Sequence, residues 1–223
     1  MIAPSPLPQT EPVPDCPLCP RMVAARAENR AAHPGWWNAP VLSLGDPEAR
    51  IVIIGSAPAR QGANRTGRMF VGDDGGERLY AALAACGLLR VIEDVETDDE
   101  ALQDAPPVLR GVMLLSAVRC APPQHSKPLP DEIRTCRTFL GQAVEAIPQA
   151  RVFVALGQVA HQSAVKTLGG RLPKARFAQG AEHRMPDGRI LIDSHVCSGS
   201  NLNAGLLTVD AFEAVLARAV ELT

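Results

Sequence analysis

Aromatic side chains are scarce in this chain of 223 residues: five Phe, two Trp and one Tyr make up 4% of it. Stacked rings therefore cannot dominate the core, which falls to the aliphatic residues of an apolar fraction of 46%. That much apolar material, with modest charge, excludes wholesale disorder. No stretch approaches the roughly 18–20 consecutive apolar residues of a membrane helix, so no membrane span is expected. The opening residues, MIAPSPLPQTEPVPDC, lack a basic region followed by an apolar one. No secretory signal is read there, and a cytoplasmic location is the expectation. Internal repeats are absent, which excludes solenoids and propellers. A large charge of one sign is lacking too. The net charge of −2 excludes a uniformly basic nucleic-acid binder.

The charge that is present is unevenly placed. Residues 91–104 (VIEDVETDDEALQD) hold seven acids and no Lys or Arg, and outside them 22 basic side chains face 17 acidic ones. The run reads as a solvated loop, and the remainder leaves room for a local basic groove.

Residues 1–15 carry five prolines and are read as a flexible, extended arm, because proline lacks the amide donor that helix and sheet require. Residues 16–223 are read as a single domain of one unit length. Within it, helical patterns at 17–32, 77–89, 131–147, 158–168 and 207–222 alternate with short β-branched runs at 50–55, 111–118, 151–157 and 189–194. Asp131 is the expected N-cap of the third of these helices, and Gly87 the expected stop of the second. The alternation predicts a three-layer α/β/α sandwich around a mostly parallel sheet of about four strands. Ligands of such sheets bind outside the carboxyl ends of the strands. Those ends carry Gly55–Pro58, Ser116–Cys120, Gly157–Gln158 and Ser194–Val196, so one polar crevice is expected there.

Six cysteines occur, at 16, 19, 86, 120, 136 and 197. Clustered cysteines in a reducing compartment point to metal or redox chemistry rather than disulfides. Cys16 and Cys19 form a CxxC pair. Cys86 lies in an apolar helical run and reads as a buried helix residue.

The segment GSAPARQGANRTGRMFVGD (55–73) is a Gly-rich loop after a strand. It lacks the G-K-[ST] of a P-loop and the GxGxxG of a dinucleotide fold. Arg65 and Arg68 can meet phosphates there, or simply brace the loop by ion pairs.

GSAPA followed by GANRTGRMFVGD resembles the first motif of the uracil-DNA glycosylase superfamily, closest to the family 5 (type B) iron–sulfur enzymes, whose pattern runs near GLAPG and GANRTGRPFTGD. The likeness extends to WWNAPVLSLGDPEARIVIIG (36–55), to AVRCAPPQHSKPLPDEIRTC (117–136) and to SHVCSGSNLNAGLLT (194–208), which is similar to the second motif.

The resemblance implies a DNA-repair enzyme that flips a uracil out of DNA and hydrolyses its N-glycosidic bond, leaving an abasic site. No amine is positioned to suggest lyase chemistry, and a monomer is expected. The resemblance also implies a [4Fe–4S] cluster on Cys16, Cys19, Cys120 and Cys136, with Cys197 outside it. Four thiolates by themselves suit either such a cluster or structural zinc. Phe70 is expected to stack on the base, in a pocket with Gly55, Ser56, Ala57 and Ser116. His195 is expected to donate an N–H to the departing base oxygen, as an oxyanion hole does. Family 5 lacks a polar group at the position of Ala57, so the group that orients the attacking water is expected in the following loop: Asn64 first, Asp73 second. DNA contacts are expected from Arg65, Arg68, Lys127, Arg171, Lys174 and Arg176, with Leu202 as an apolar wedge in the gap left by the flipped base. Two departures from the family stand out. Ser56 replaces a common Leu and Ser116 a common Asn, and the shorter serine at 116 predicts a roomier pocket that also takes hypoxanthine or other deaminated bases. A DNA-binding protein of the same fold with weak or no catalysis is the alternative.

Overall fold

The computed structural model describes residues 11–90 and 108–223; the acidic run 91–104 and residues 1–10 of the arm lie outside them. Its helices are α1 (Pro20–Ala32), α2 (Ala63–Thr66), α3 (Asp74–Ala85), α4 (Pro130–Glu145), α5 (Gln158–Thr167), α6 (Gly199–Asn203) and α7 (Val209–Glu221). The strands are β1 (Leu44–Gly45), β2 (Ile51–Gly55), β3 (Leu89–Arg90), β4 (Val108–Leu109), β5 (Val112–Ser116), β6 (Val152–Leu156), β7 (Glu182–Arg184) and β8 (Ile190–Ser194).

The main sheet has six strands in the order β1-β5-β2-β6-β8-β7, and β3 pairs with β4 apart from it. The inner four, β5, β2, β6 and β8, are parallel. They are the four strands expected. The edge strands β1 and β7 run antiparallel to their neighbours. A count of about four is thus low by two. The reason is that β1 has two residues and β7 reads Glu-His-Arg, so neither carries an apolar run and both exist through their pairing.

The apolar strands sort by parity onto two helical layers, since alternate side chains point to opposite faces. Ile51, Ile53, Val112, Leu114, Val152, Val154 and Ile192 pack with Leu79 and Leu83 of α3 and Phe212, Val215 and Leu216 of α7. Val52, Ile54, Met113, Leu115, Phe153 and Leu191 pack with Leu140 and Val144 of α4 and Ala160, Ala164 and Val165 of α5. Three layers follow. The helix after β2 covers one face and the helix after β6 the other. A crevice therefore opens between the C-terminal ends of these neighbouring strands.

Local signals are borne out in part. Gly87 adopts φ +70°, the left-handed turn that stops α3. Asp131 is not the N-cap of α4. The helix starts one residue earlier, at Pro130, whose missing N–H is no loss at N1. Glu132 accepts from the Leu129 N–H at 2.7 Å instead, and Asp131 pairs with Arg134. Cys86 sits just past α3 and is half-buried against the core rather than inside a helix. The last residues of the expected arm are tethered. Glu11 accepts from Ser43 N–H at 3.0 Å and pairs with the fully buried Arg119 at 3.2 Å.

Candidate active site

A cavity of about 460 Å³ opens at the C-terminal ends of β2 and β5 and the segment after β8, a size usual for a small-ligand site. Gly55, Ser56, Ala57, Phe70, Asp73 and Ser116 all line it, so six of the expected site residues are brought together.

Its first wall is a backbone construction. Phe70 has φ +56°, a left-handed conformation that costs a residue with a Cβ. Its carbonyl presses on Gly76, where an added Cβ would overlap the oxygen. Its ring tip reaches Gly55, where an added Cβ would lie 2.7 Å from Cζ. These two glycines let the aromatic ring close over the end of β2. Asp73 caps α3, accepting from Gly76 N–H at 2.9 Å through Oδ1, while Oδ2 lies over Gly62, which has no Cβ to collide with it. Asp74 lines the cavity too, a residue with no signal of its own in the sequence, and stands 3.7 Å from Arg78.

Both serines have committed their hydroxyl protons. Ser56 Oγ donates to Leu156 O at 3.1 Å, across the crevice, and Ser116 Oγ donates to Val118 O at 2.8 Å. Each therefore offers lone pairs to a ligand, and a hydroxyl has no second proton to give.

The second wall is Val196, Ser198, Gly199 and Ser200, beyond the end of β8. Ser198 caps α6 through Asn201 N–H, and Asn201 Nδ2 donates to Val196 O at 2.8 Å. His195, between the buried Ser194 and the wall residue Val196, is half-buried and does not line the cavity. Its ring stands edge-on to Phe177, with centroids 5.1 Å apart.

Asn64, Leu202, Arg171 and Lys174 stand away from the cavity. Asn64 is only 3% exposed and lies off the cavity; its Nδ2 donates to Asn38 Oδ1 at 3.0 Å, tying α2 to the loop after α1. That amide is committed to Asn38, and its neighbour Ala63 forms the wall. Leu202 turns inward and packs on the core, whereas Leu206, just past α6, is 52% exposed. The sequence NLNAGLLT offers several leucines, and only the turn of α6 selects among them. Arg171 and Lys174 line a separate groove along β7 with Arg184, which shares no residue with the cavity. Arg176 is exposed on the same segment.

The remaining basic candidates lie nearer. Lys127 lines a groove with Arg60 and His125 that shares Ser56–Ala59 with the cavity. Arg65 is exposed on α2, its Nε donating to Gln61 O at 2.8 Å, and Arg68 is half-buried in the same loop.

Cys16, Cys19, Cys120 and Cys136 line one small cavity between α1, α4 and the loop after β5, with Met22, Val118 and Phe139 around them. None of the six cysteines is joined in a disulfide. Burial pushes the Cys120 thiol up to about 12 and the Cys136 thiol up to about 11, and neighbouring cysteines add to both shifts. Burial also raises Cys19. A thiolate set here requires a cation to offset its charge. Among the described residues, the one group of three donor atoms within 4.8 Å of one another is His161, His183 and Asp193, so no three of the four sulfurs stand that close. Arg119 N–H donates to Cys136 Sγ at 3.2 Å, and Arg21 clamps Glu132 through two bonds of 2.8 and 2.6 Å, holding α1 against α4 beside the thiols. Cys197 is buried in the main core, away from this cavity.

The cavity draws its walls from the segments at 55–75 and 194–200. A family model described as the Uracil DNA glycosylase superfamily matches residues 42–219, which include both. The chain belongs to that superfamily. A type-5 uracil-DNA glycosylase of Thermus thermophilus is 41% identical over 212 residues, covering 93% of each chain. Type-5 uracil-DNA glycosylases of Pyrobaculum aerophilum and Mycobacterium bovis are each 36% identical, over 92% and 93% of this chain and 88% and 78% of their own lengths. In this superfamily member no helix, among the described residues, is long and apolar enough to cross a membrane.

Proposed function

We propose that the protein is a monofunctional uracil-DNA glycosylase of DNA repair, and that it excises uracil from DNA to leave an abasic site. The observation that carries this reading is the ring of Phe70 closed over Gly55, inside a cavity whose walls come from the two segments akin to glycosylase motifs. A flipped base enters the cavity and rests on Phe70. Cleavage of the C1′–N1 bond leaves its electron pair on the base and an oxocarbenium-like sugar. His195 donates an N–H to the base oxygen where the negative charge gathers. Its chain position beside the wall residue Val196, at the end of β8, supports that role. Asp73, rather than Asn64, orients the water. Its carboxylate lines the cavity, accepts a proton as the water oxygen bonds to C1′, and places negative charge near the cationic sugar.

Because Ser56 and Ser116 offer acceptors, they suit a ring N–H of the base, which uracil and hypoxanthine both present. Hypoxanthine is accordingly a second substrate. Leu206 takes the wedge role expected of Leu202, and Arg65, Arg68 and Lys127 meet the phosphates. In this reading the monomer is the active unit. An enzyme of chromosomal repair works where the chromosome lies, in the cytoplasm of a bacterium or archaeon.

Cys16, Cys19, Cys120 and Cys136 would hold a [4Fe–4S] cluster, with structural zinc on the same thiolates as the alternative. The lining of one small cavity by all four cysteines supports this reading. A cluster there would brace α1 against α4 and the loop after β5, beside the basic groove.

The test is base release from duplexes carrying one uracil, one hypoxanthine or only normal bases, read by alkaline cleavage of abasic sites. Release abolished by His195→Ala and strongly slowed by Asp73→Asn is expected. Binding without release from any duplex would move the reading to a non-catalytic DNA-binding protein.

A further inference from the structure

His195 carries the proposed leaving-group role, yet nothing in its own motif fixes where it points. Apart from Ser194, the side chains that touch it come from the connection between α5 and β7, which resembles neither motif. Gln179 Oε1 accepts from the His195 backbone N–H at 2.8 Å. The Ser194 hydroxyl lies 3.3 Å from the same oxygen and donates to His195 O at 2.9 Å. At its other end Gln179 Nε2 donates to Ala211 O at 3.3 Å, which anchors it to α7. Two residues earlier, Phe177 presents its ring to the His195 imidazole, with the two planes at 88°. One short segment thus holds both the main chain and the ring of His195.

That segment is itself fixed from behind. Phe177 also meets the buried His161 edge-on, with centroids 5.7 Å apart. His161 Nε2–H donates to Ala175 O at 3.0 Å, and its Nδ1 meets Asp193 Oδ1 at 2.7 Å with a proton between them. His183 Nε2–H donates to Asp193 Oδ2 at 2.9 Å. A metal on these three donors is disfavoured, because ligands about 2.0–2.1 Å from a tetrahedral ion stand about 3.4 Å apart. The observed spacings are those of hydrogen bonds. Gly180 N–H completes the frame by donating to Asp193 O at 2.8 Å.

We propose that Gln179 and Phe177 are positioning residues for His195, and that the buried Asp193–His161 pair locks the segment that carries them. The proposal rests on His195 as the leaving-group donor. Displacing a catalytic group by about 1 Å costs about a hundredfold in rate, whereas substrate affinity is set elsewhere. The signature is therefore a fall in the chemical step at constant affinity.

The experiment compares wild type with Gln179→Leu, Gln179→Glu, Phe177→Leu and His195→Ala. It measures single-turnover uracil release, affinity for a duplex with a tetrahydrofuran abasic analogue, and the NMR signals of the His195 imidazole. Gln179→Leu is expected to slow release between tenfold and a hundredfold, with affinity within twofold and the His195 signal shifted. Gln179→Glu keeps the acceptor oxygen for the His195 N–H but loses the donor to Ala211 O, and is expected to recover part of the rate. Phe177→Leu is expected to shift the ring signal and slow release, and it serves if Gln179→Leu does not fold. An unslowed Gln179→Leu beside an inactive His195→Ala overturns the positioning role. So does a rate lost together with affinity and not restored by Gln179→Glu. A fully active His195→Ala sinks the leaving-group reading instead. The clamp is then judged on the signal alone, standing if it moves in Gln179→Leu and returns in Gln179→Glu, and failing if it does not move.

Discussion

The two walls of the cavity are held in different ways. The wall at 55–75 is shaped by what is missing: Cβ atoms at Gly55, Gly62 and Gly76 would meet the Phe70 ring, the Asp73 carboxylate and the Phe70 carbonyl. The wall at 194–200 is shaped by side chains that bond back to it, from Gln179, Asn201 and Ser198. Where such a contact is with backbone, as at Gly76, nothing can be added. A wall held by hydrogen bonds loses roughly 0.5–1.5 kcal/mol per bond and degrades by degrees. The lesson is that the first wall should fail abruptly and the second gradually.

The sharpest break of that comparison is Gly76→Ala. The new methyl meets backbone oxygen, which cannot rotate away, so a loss of about 3 kcal/mol of stability is expected, read by urea denaturation. Asp73→Asn tests chemistry within the same wall. It keeps an acceptor for the α3 cap, so the fold should survive while single-turnover release falls about 100–1,000-fold. Equal rates for Asp73→Asn and wild type would remove Asp73 from the mechanism. Gly55→Ala lies between these cases, since the colliding atom is the tip of a ring. A folded protein with at least tenfold slower release is expected, and an unchanged rate would mean that Phe70 is free to swing.

The bracing of the thiol cavity sharpens the comparison from a third side. Burial acts to raise the Glu132 carboxyl, but the Arg21 hydrogen bonds and the Leu129 N–H outweigh it and leave it below its ordinary value of 4.5. Between the folded and unfolded values the unfolded chain binds more protons, so stability from this group is full above about pH 4.5 and is lost as pH falls through the folded value. Glu132→Gln is expected to cost about 1.5–3 kcal/mol at neutral pH and to flatten the acid limb of the stability curve. The smallest expected effect separates the basic grooves. Arg65→Ala or Lys127→Ala should reduce the slope of log affinity against log salt by about 1, and Arg171→Ala should leave it unchanged. The same reduction for Arg171→Ala would put the β7 groove on the DNA path.

The layers were legible because burial on both faces makes an inner parallel strand uniformly apolar. Ile51–Gly55 and Val152–Leu156 need no partner to be recognised. Edge strands carry no such mark, which is why β1 and β7 were not. Within the site, Phe70, Gly55 and Asp73 were legible because they lie in one dense segment whose spacing is itself the signal. Asn64 lies in that segment and was misplaced. Sequence proximity does not say which side of the four-residue α2 faces the cavity.

The sequence by itself determined the alternation of strands and helices, and with it the end of the sheet where a ligand site must lie. It also supplied the four cysteines and the motif-like segments, because periodicity, glycine and cysteine act through local chemistry. Only the tertiary structure decided which loop residues reach the cavity, that Asn64 and Leu202 turn inward while Asp73 lines the cavity and Leu206 is exposed, and that Gln179 and Phe177 stand behind His195. The physical reason is that these relations are contacts between segments far apart in the chain. Their partners are chosen by how the layers pack, and nothing in the local sequence encodes them.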